Sequence, residues 1–138
     1  MITVKVTGLN IVNKKMDKLR KEIEKAAKAA LIESAIVDVE SEAKRKITQD
    51  KHVKTGRLRA SIHTAFKGKK THRYSDMTGK SYRERLSGEI TDKNVLVGTN
   101  VKYARKIERL DSYLAYAFLK ARKLVPARIK KHVAKVLR

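Results

Sequence analysis

Gly79-Lys80-Ser81 has the residue types of a phosphate loop, in which backbone amides cradle phosphates, a lysine reaches them and a hydroxyl holds magnesium. That motif needs a glycine where this chain has Tyr74, and neither an apolar strand before it nor a helix after it is legible. A flexible basic loop accounts for the same residues. The four histidines, His52, His63, His72 and His132, match no metal-ligand spacing. Ser61 and Ser87 lack the Gly-x-Ser-x-Gly setting of a nucleophile elbow. There is no cysteine, hence no thiolate, disulfide or Cys-type zinc site. These types and spacings point away from an enzyme, and no metal or cofactor is expected.

Charge is the stronger signal. Thirty-five Lys and Arg against 14 Asp and Glu give a formal net charge of +21 on 138 residues. From Lys44 to Arg73 there are 11 basic residues and the single acid Asp50, and from Lys120 to Arg138 there are eight basic residues and no acid. A solvated surface mixes signs, whereas one-sign blocks suit a polyanion or an acidic partner. The candidate contacts are Arg57, Arg59, Lys67, Lys69, Lys70, Arg73, Lys80 and Arg83. Tyr74 and Tyr82 either stack on bases or pack at the base of an arm. Contact with DNA would be sequence-independent, because no helix-turn-helix or zinc-finger spacing is present.

The elements that would position these residues follow in chain order. Ile2 to Thr7 alternate apolar and polar residues before Gly8, the period of a short strand. From Asn13, a candidate N-cap, to Ile47 there is no Pro or Gly, and helix formers dominate. Met16, Leu19, Ile23, Ala26, Ala27, Ala30 and Val37 fall on one side of this helix, whereas Ala29, Ile32, Ile36, Val39, Ala43 and Ile47 fall nearly opposite. The changeover implies a middle buried on both sides, a bend, or contact with another subunit. An oligomer face of Ile32, Ile36, Val39, Ala43 and Ile47 is the preferred expectation.

Ala60 to Phe66 reads as a strand, and Lys67 to Arg85 as a long, mobile, basic hairpin loop. Leu86 to Thr91 and Val95 to Gly98 read as two strands joined by Asp92-Lys93-Asn94. Asn100 is a candidate cap for a helix over Val101 to Arg109, a second helical segment starts at Ser112, and Pro126 should open a new helix or kink one. No apolar run has signal-peptide or bilayer length, so a soluble protein without membrane partners is expected.

Two stretches carry a resemblance. Lys54-Thr55-Gly56-Arg57-Leu58-Arg59-Ala60-Ser61-Ile62 and Val97-Gly98-Thr99-Asn100-Val101-Lys102-Tyr103-Ala104-Arg105-Lys106-Ile107-Glu108 resemble the phage tail-component family typified by gene product ten of the Hong Kong lambdoid phage. Thr55, Gly56, Leu58, Ser61, Ile62, Gly98, Thr99, Tyr103, Ala104 and Glu108 are the matching positions. The chain departs from the family where Pro commonly precedes the Thr-Gly turn, and again after Glu108, where Arg109-Leu110-Asp111 replaces an aromatic-Gly-Thr loop.

The resemblance implies a structural protein of the virion or prophage that assembles as a homo-oligomeric ring at the head-tail junction or tail end. Its partners would be neighbouring connector and tail-tube proteins, its location the virion, and the host cytoplasm during assembly. The alternative from charge alone is a cytoplasmic, sequence-independent nucleic-acid-binding protein. The expected fold is α+β: a long N-terminal helix packed on a small antiparallel sheet of three or four strands, with C-terminal helices. One domain would span residues 1–138, with the mobile basic loop at about 67–85.

Overall fold

In a computed structural model describing residues 9–138, helical backbone runs unbroken from Leu9 to Gln49. This distance is about 60 Å at the usual rise per residue. The run comprises α1 (Leu9–Ser34), a π-helical segment (Ala35–Glu40) and α2 (Ser41–Gln49). Asn13 lies inside α1 and does not cap it. The strand expected over Ile2 to Thr7 lies outside the described residues.

The π segment explains the change of apolar face. A π turn takes in an extra residue, so the stripe after it is rotated by roughly the 100° that one helical residue subtends. Before it, Leu19, Ile23, Ala26 and Ala27 are half-buried and Ala30 fully buried, where α1 packs on the last helix, α6 (Val125–Val136). After it, Ala43 and Ile47 are fully buried in the main core with Leu58, Ile62, Val101, Ala104, Tyr113 and Ala117. Ala43 and Ile47 therefore belong to the chain's own interior and cannot form an oligomer face. Ile32 is half-buried, Val39 packs on the core, and Ile36 is 38 % exposed.

Asp38 fixes α6 on the π segment. Arg128 donates from Nη2 and Nε to its two carboxylate oxygens at 2.7 and 3.1 Å, and from Nη1 to Glu33 at 2.5 Å. His132 closes the same cluster against Glu33 at 2.5 Å. The His132 hydrogen bond and the Arg128 charge hold the Glu33 carboxyl below its ordinary range against the opposing effect of burial.

Beyond α2 the chain departs from the expected strand at Ala60. Arg57–Ser61 is a short helix, α3, and only His63–Ala65 is extended, as β1. Strand β1 pairs antiparallel with β4 (Leu96–Gly98), Thr64 opposite Val97. The basic stretch is not a structureless loop. It contains β2 (Thr71–Ser75) and β3 (Ser81–Arg85), paired antiparallel from Thr71 opposite Arg85 to Ser75 opposite Ser81. The sheet thus divides into two separate pairs.

Leu86 to Thr91 is not a strand. Its end is a side-chain turn, with Thr91 N donating to Asn94 Oδ1 at 2.8 Å and Asn94 Nδ2 donating to Glu89 O at 2.9 Å. α4 (Ala104–Asp111) starts later than expected, and Asn100 donates its amide to Arg85 O instead of capping it. α5 (Tyr113–Ala121) packs on α2 and the π segment, and Pro126 sits in the first turn of α6. The long helix, small antiparallel pairs and C-terminal helices make an α+β fold.

Candidate functional site

The turn that opens α3 is built around Gly56, which has φ +71°, the left-handed region that a side chain resists. A Cβ there would also lie 2.8 Å from Met77 Cγ. Met77 N donates to Thr55 O at 2.7 Å, so the tip of the hairpin is clamped onto the turn. Arg57 N reaches Thr55 Oγ1 at 3.3 Å, and α3 then buries Leu58 and Ser61, with Ile62 just beyond it.

The two motifs meet through hydroxyls. Ser61 Oγ donates to Leu58 O at 2.7 Å, so in its 2.6 Å contact with Thr99 it accepts the Thr99 proton. Thr99 Oγ1 in turn accepts from Val101 N at 3.1 Å. Gly98 lies in van der Waals contact with Leu86. Ala104 is in the core, whereas Tyr103 is 43 % exposed. Glu108 accepts from the N–H groups of Leu114 and Ala115, both at 2.9 Å, which caps α5 and places a negative charge at its N-terminus. A cleft of about 510 Å³ lies beside these residues, lined among others by Lys51, Lys54, Arg57, Asp76, Tyr82 and Tyr103.

The hairpin has two chemically different faces because residues alternate along a strand. Toward the body, rings stack in series: His63 on His72 at 4.6 Å, His72 on Tyr74 at 5.4 Å and Tyr74 on Tyr82 at 5.3 Å. The Arg57 guanidinium lies 4.2 Å from the Tyr82 ring centre. Tyr74 donates to Glu84 Oε1 at 2.5 Å, and burial followed by that carboxylate pushes the phenol up to about 12. His63 is buried with Nδ1–H donating to Ser61 O at 2.8 Å, and burial lowers its pKa below the ordinary 6.5. Asp76, in the turn, accepts from Thr78, the Lys80 N–H and Tyr82 OH, which hold it below the carboxylate range.

Outward, the register aligns Thr71 with Arg85, Arg73 with Arg83 and Ser75 with Ser81, all exposed. No acid accompanies them on that face. Among the described residues Arg73, Arg83 and Arg85 take part in no ion pair.

The eight expected basic contacts therefore separate. Lys69, Lys70, Arg73, Lys80 and Arg83 are exposed on the hairpin or its base. Arg57 is taken up by Tyr82 and by Glu84 at 3.5 Å, Arg59 donates to Thr48 at 3.3 Å, and Lys67 pairs with Asp92 at 2.8 Å. Tyr74 and Tyr82 pack inward against their neighbours. Arg85 joins the outer face although it is not among the expected eight. The alternation Thr-His-Arg-Tyr-Ser and Ser-Tyr-Arg-Glu-Arg around a turn with Asp76 and Gly79 is the signal that reveals it.

A second surface is apolar. A groove of about 580 Å³ runs between the π segment, β4 and α5, lined by Leu31, Val39, Val97, Leu114, Phe118 and Val125 among others. Phe118 is 59 % exposed there, and Leu119 and Leu124 are half exposed on and just after the same helix.

Compared with known families, residues 12–109 match the model of the family described as "Bacteriophage HK97-gp10, putative tail-component". The chain belongs to this family of phage tail components. No curated protein and no solved structure matches it. The family match covers the long helix from residue 12 on, both motifs and the hairpin, and ends within α4. Its motif residues do constructional work: a left-handed turn, a hydroxyl junction and a helix cap. No helix of the described residues is long and apolar enough to cross a membrane.

Proposed function

We propose that this tail-component protein completes or joins the tail at the head-tail junction or tail end of a siphovirus-type particle, assembling there as a ring of identical subunits. Family membership supports the tail assignment. The observation that carries self-assembly is the apolar groove with Phe118 exposed at its edge, a surface a single subunit leaves uncovered. A closed ring needs two different complementary patches per subunit, and a groove together with projecting apolar side chains is of that kind. Neighbouring connector and tail-tube proteins are the remaining partners, met in the host cytoplasm during assembly and retained in the virion.

Light scattering on the purified protein tests this reading. A single discrete multimer is expected, with Phe118→Glu shifting it to monomer while leaving the helical circular dichroism unchanged. Monomer alone at micromolar concentration, with no assembly on tail-tube or connector proteins, overturns it.

A further inference from the structure

We infer that the outward face of the β2–β3 hairpin is a docking surface for the phosphate backbone of double-stranded DNA, read without regard to sequence. This goes beyond the ring proposal and does not depend on it. Five observations on the hairpin converge.

The first is the inventory of that face. Thr71, Arg73, Ser75, Ser81, Arg83 and Arg85 stand on it; the three arginines and Thr71 can donate hydrogen bonds to phosphate oxygens, and of the Ser75 and Ser81 hydroxyls, which share a hydrogen bond at 3.1 Å, one keeps its proton to donate. Lys80 at the tip and Lys69 and Lys70 at the base extend the same sign in both directions. The second is the placement of the acids. Of the two acids on this stretch, Asp76 accepts from the turn and from Tyr82, and Glu84 is turned toward the body, where Tyr74 and Arg57 meet its Oε1. Neither is available to neutralise the outer arginines.

The third is that Arg73 and Arg83 are direct cross-strand partners. Like charges at such positions cost stability unless something between them is negative. Arg85 follows Arg83 by two residues, about 6.8 Å along the strand, so three guanidinium forks form one compact patch. The fourth is rigidity: the stacked His63, His72, Tyr74 and Tyr82 behind the hairpin, and the Met77–Thr55 clamp at its tip, hold the patch in place before any ligand arrives.

The fifth decides between classes of partner. Protein interfaces are anchored by buried apolar or aromatic side chains, and this face has none. A second copy of the chain presenting this same face is a poor match, since arginine would then meet arginine. A surface of arginines and hydroxyls without an anchor suits repeated phosphates.

Fluorescence anisotropy with two unrelated labelled 20-base-pair duplexes, titrated with the full chain between 50 and 200 mM salt, tests the inference. Equal affinity for both duplexes is expected, with a steep fall of affinity with salt. The triple variant R73Q/R83Q/R85Q should flatten the slope of log affinity against log salt by about 2.7, from about 0.9 for each phosphate that is no longer neutralised. The control K130Q/K131Q/K135Q removes the same charge from exposed positions on α6. If it flattens the slope equally, only the overall charge matters and the inference fails. It fails also if the triple variant binds like the parent, or if poly-glutamate displaces the duplex at lower concentration than unlabelled duplex does, which would favour an acidic protein. Light scattering on the same samples reports assembly separately, so loss of the ring and loss of DNA binding are distinguishable.

Discussion

Two regions a few residues apart in the chain handle polarity in opposite ways. At the junction of the two family motifs each hydroxyl and carboxylate has its partner: Ser61 with Leu58 and Thr99, Thr99 with Val101, Glu108 with the first amides of α5. On the outer face of the hairpin three arginines stand without any counter-charge. Satisfied polar groups inside a packed region hold one conformation together. Unpaired charges on a held surface add nothing to the fold and await something outside it. The motifs that identify the family therefore mark its construction, and the surface with most to offer a partner lies between them.

The contrast makes opposite predictions for substitutions in the two regions. Ile47→Ala, at a fully buried position among Leu58, Ile62 and Tyr113, should lower unfolding stability by about 2–5 kcal/mol in urea titration. An outer-face change such as Arg85→Gln should stay within about 0.5 kcal/mol. Comparable losses at the two sites would erase the distinction. Gly56→Ala comes next, at about 1–2 kcal/mol for the left-handed backbone alone. Adding Met77→Ala should recover the part due to the Met77 contact and leave the backbone part. Full recovery would show that φ is not strained there.

Removing the cap on α5 is smaller. Glu108→Ala strips two backbone amides of their acceptor and should cost about 0.5–2 kcal/mol, with Glu108→Gln losing less.

Why the motif residues are legible in the sequence and the hairpin is not follows from what each leaves there. Gly56 and Pro126 act through backbone conformation, so the residue type alone announces the turn and the helix start. The α+β character is legible from a helix with no Pro or Gly followed by short alternating stretches. The hairpin strands escape notice because neither of their faces is aliphatic: one is aromatic and half-buried, the other arginine and hydroxyl. A period-2 pattern of Tyr and His against Arg and Ser looks like a loop to a search for Val and Ile. The π segment is foreshadowed only by the change of apolar stripe. Ala43 and Ile47 look like partner contacts because nothing local says that α5 folds back over them. Arg57 looks free for the same reason, since Tyr82 and Glu84 reach it across the fold.

Acid sharpens the comparison from another side. His63 is buried beneath the hairpin with its pKa lowered, so the unfolded chain takes up a proton more readily than the folded one. Its contribution is complete above about pH 6.5 and is lost as pH falls through the folded value. Glu42, drawn down to about 2 by Arg45 first and then Lys120, contributes above its ordinary 4.5 and is lost only at lower pH. Thermal unfolding should thus weaken in two steps, and His63→Gln should flatten the first, between pH 7.5 and 5.5. A variant with the parent's slope there would show that His63 is not the group responsible.

The smallest effect carries the most information about the outer face. Arg73 and Arg83 repel each other across the strands, and such pairs cost roughly 0.2–1 kcal/mol. Arg83→Gln should therefore raise stability by a few tenths of a kcal/mol at low salt. In the double variant with Arg73→Gln the two gains should not add, because the first substitution already removes the repulsion. At 1 M salt, where screening acts within about 3 Å, the gain should vanish. Added duplex DNA should reverse the sign, since it binds the folded parent better than the variant and stabilises it by mass action. A patch that weakens the free protein and strengthens the bound one is what an electrostatic docking surface requires. If Arg83→Gln lowers stability at low salt, the pair is supporting the hairpin, and the contrast between the two regions does not hold there.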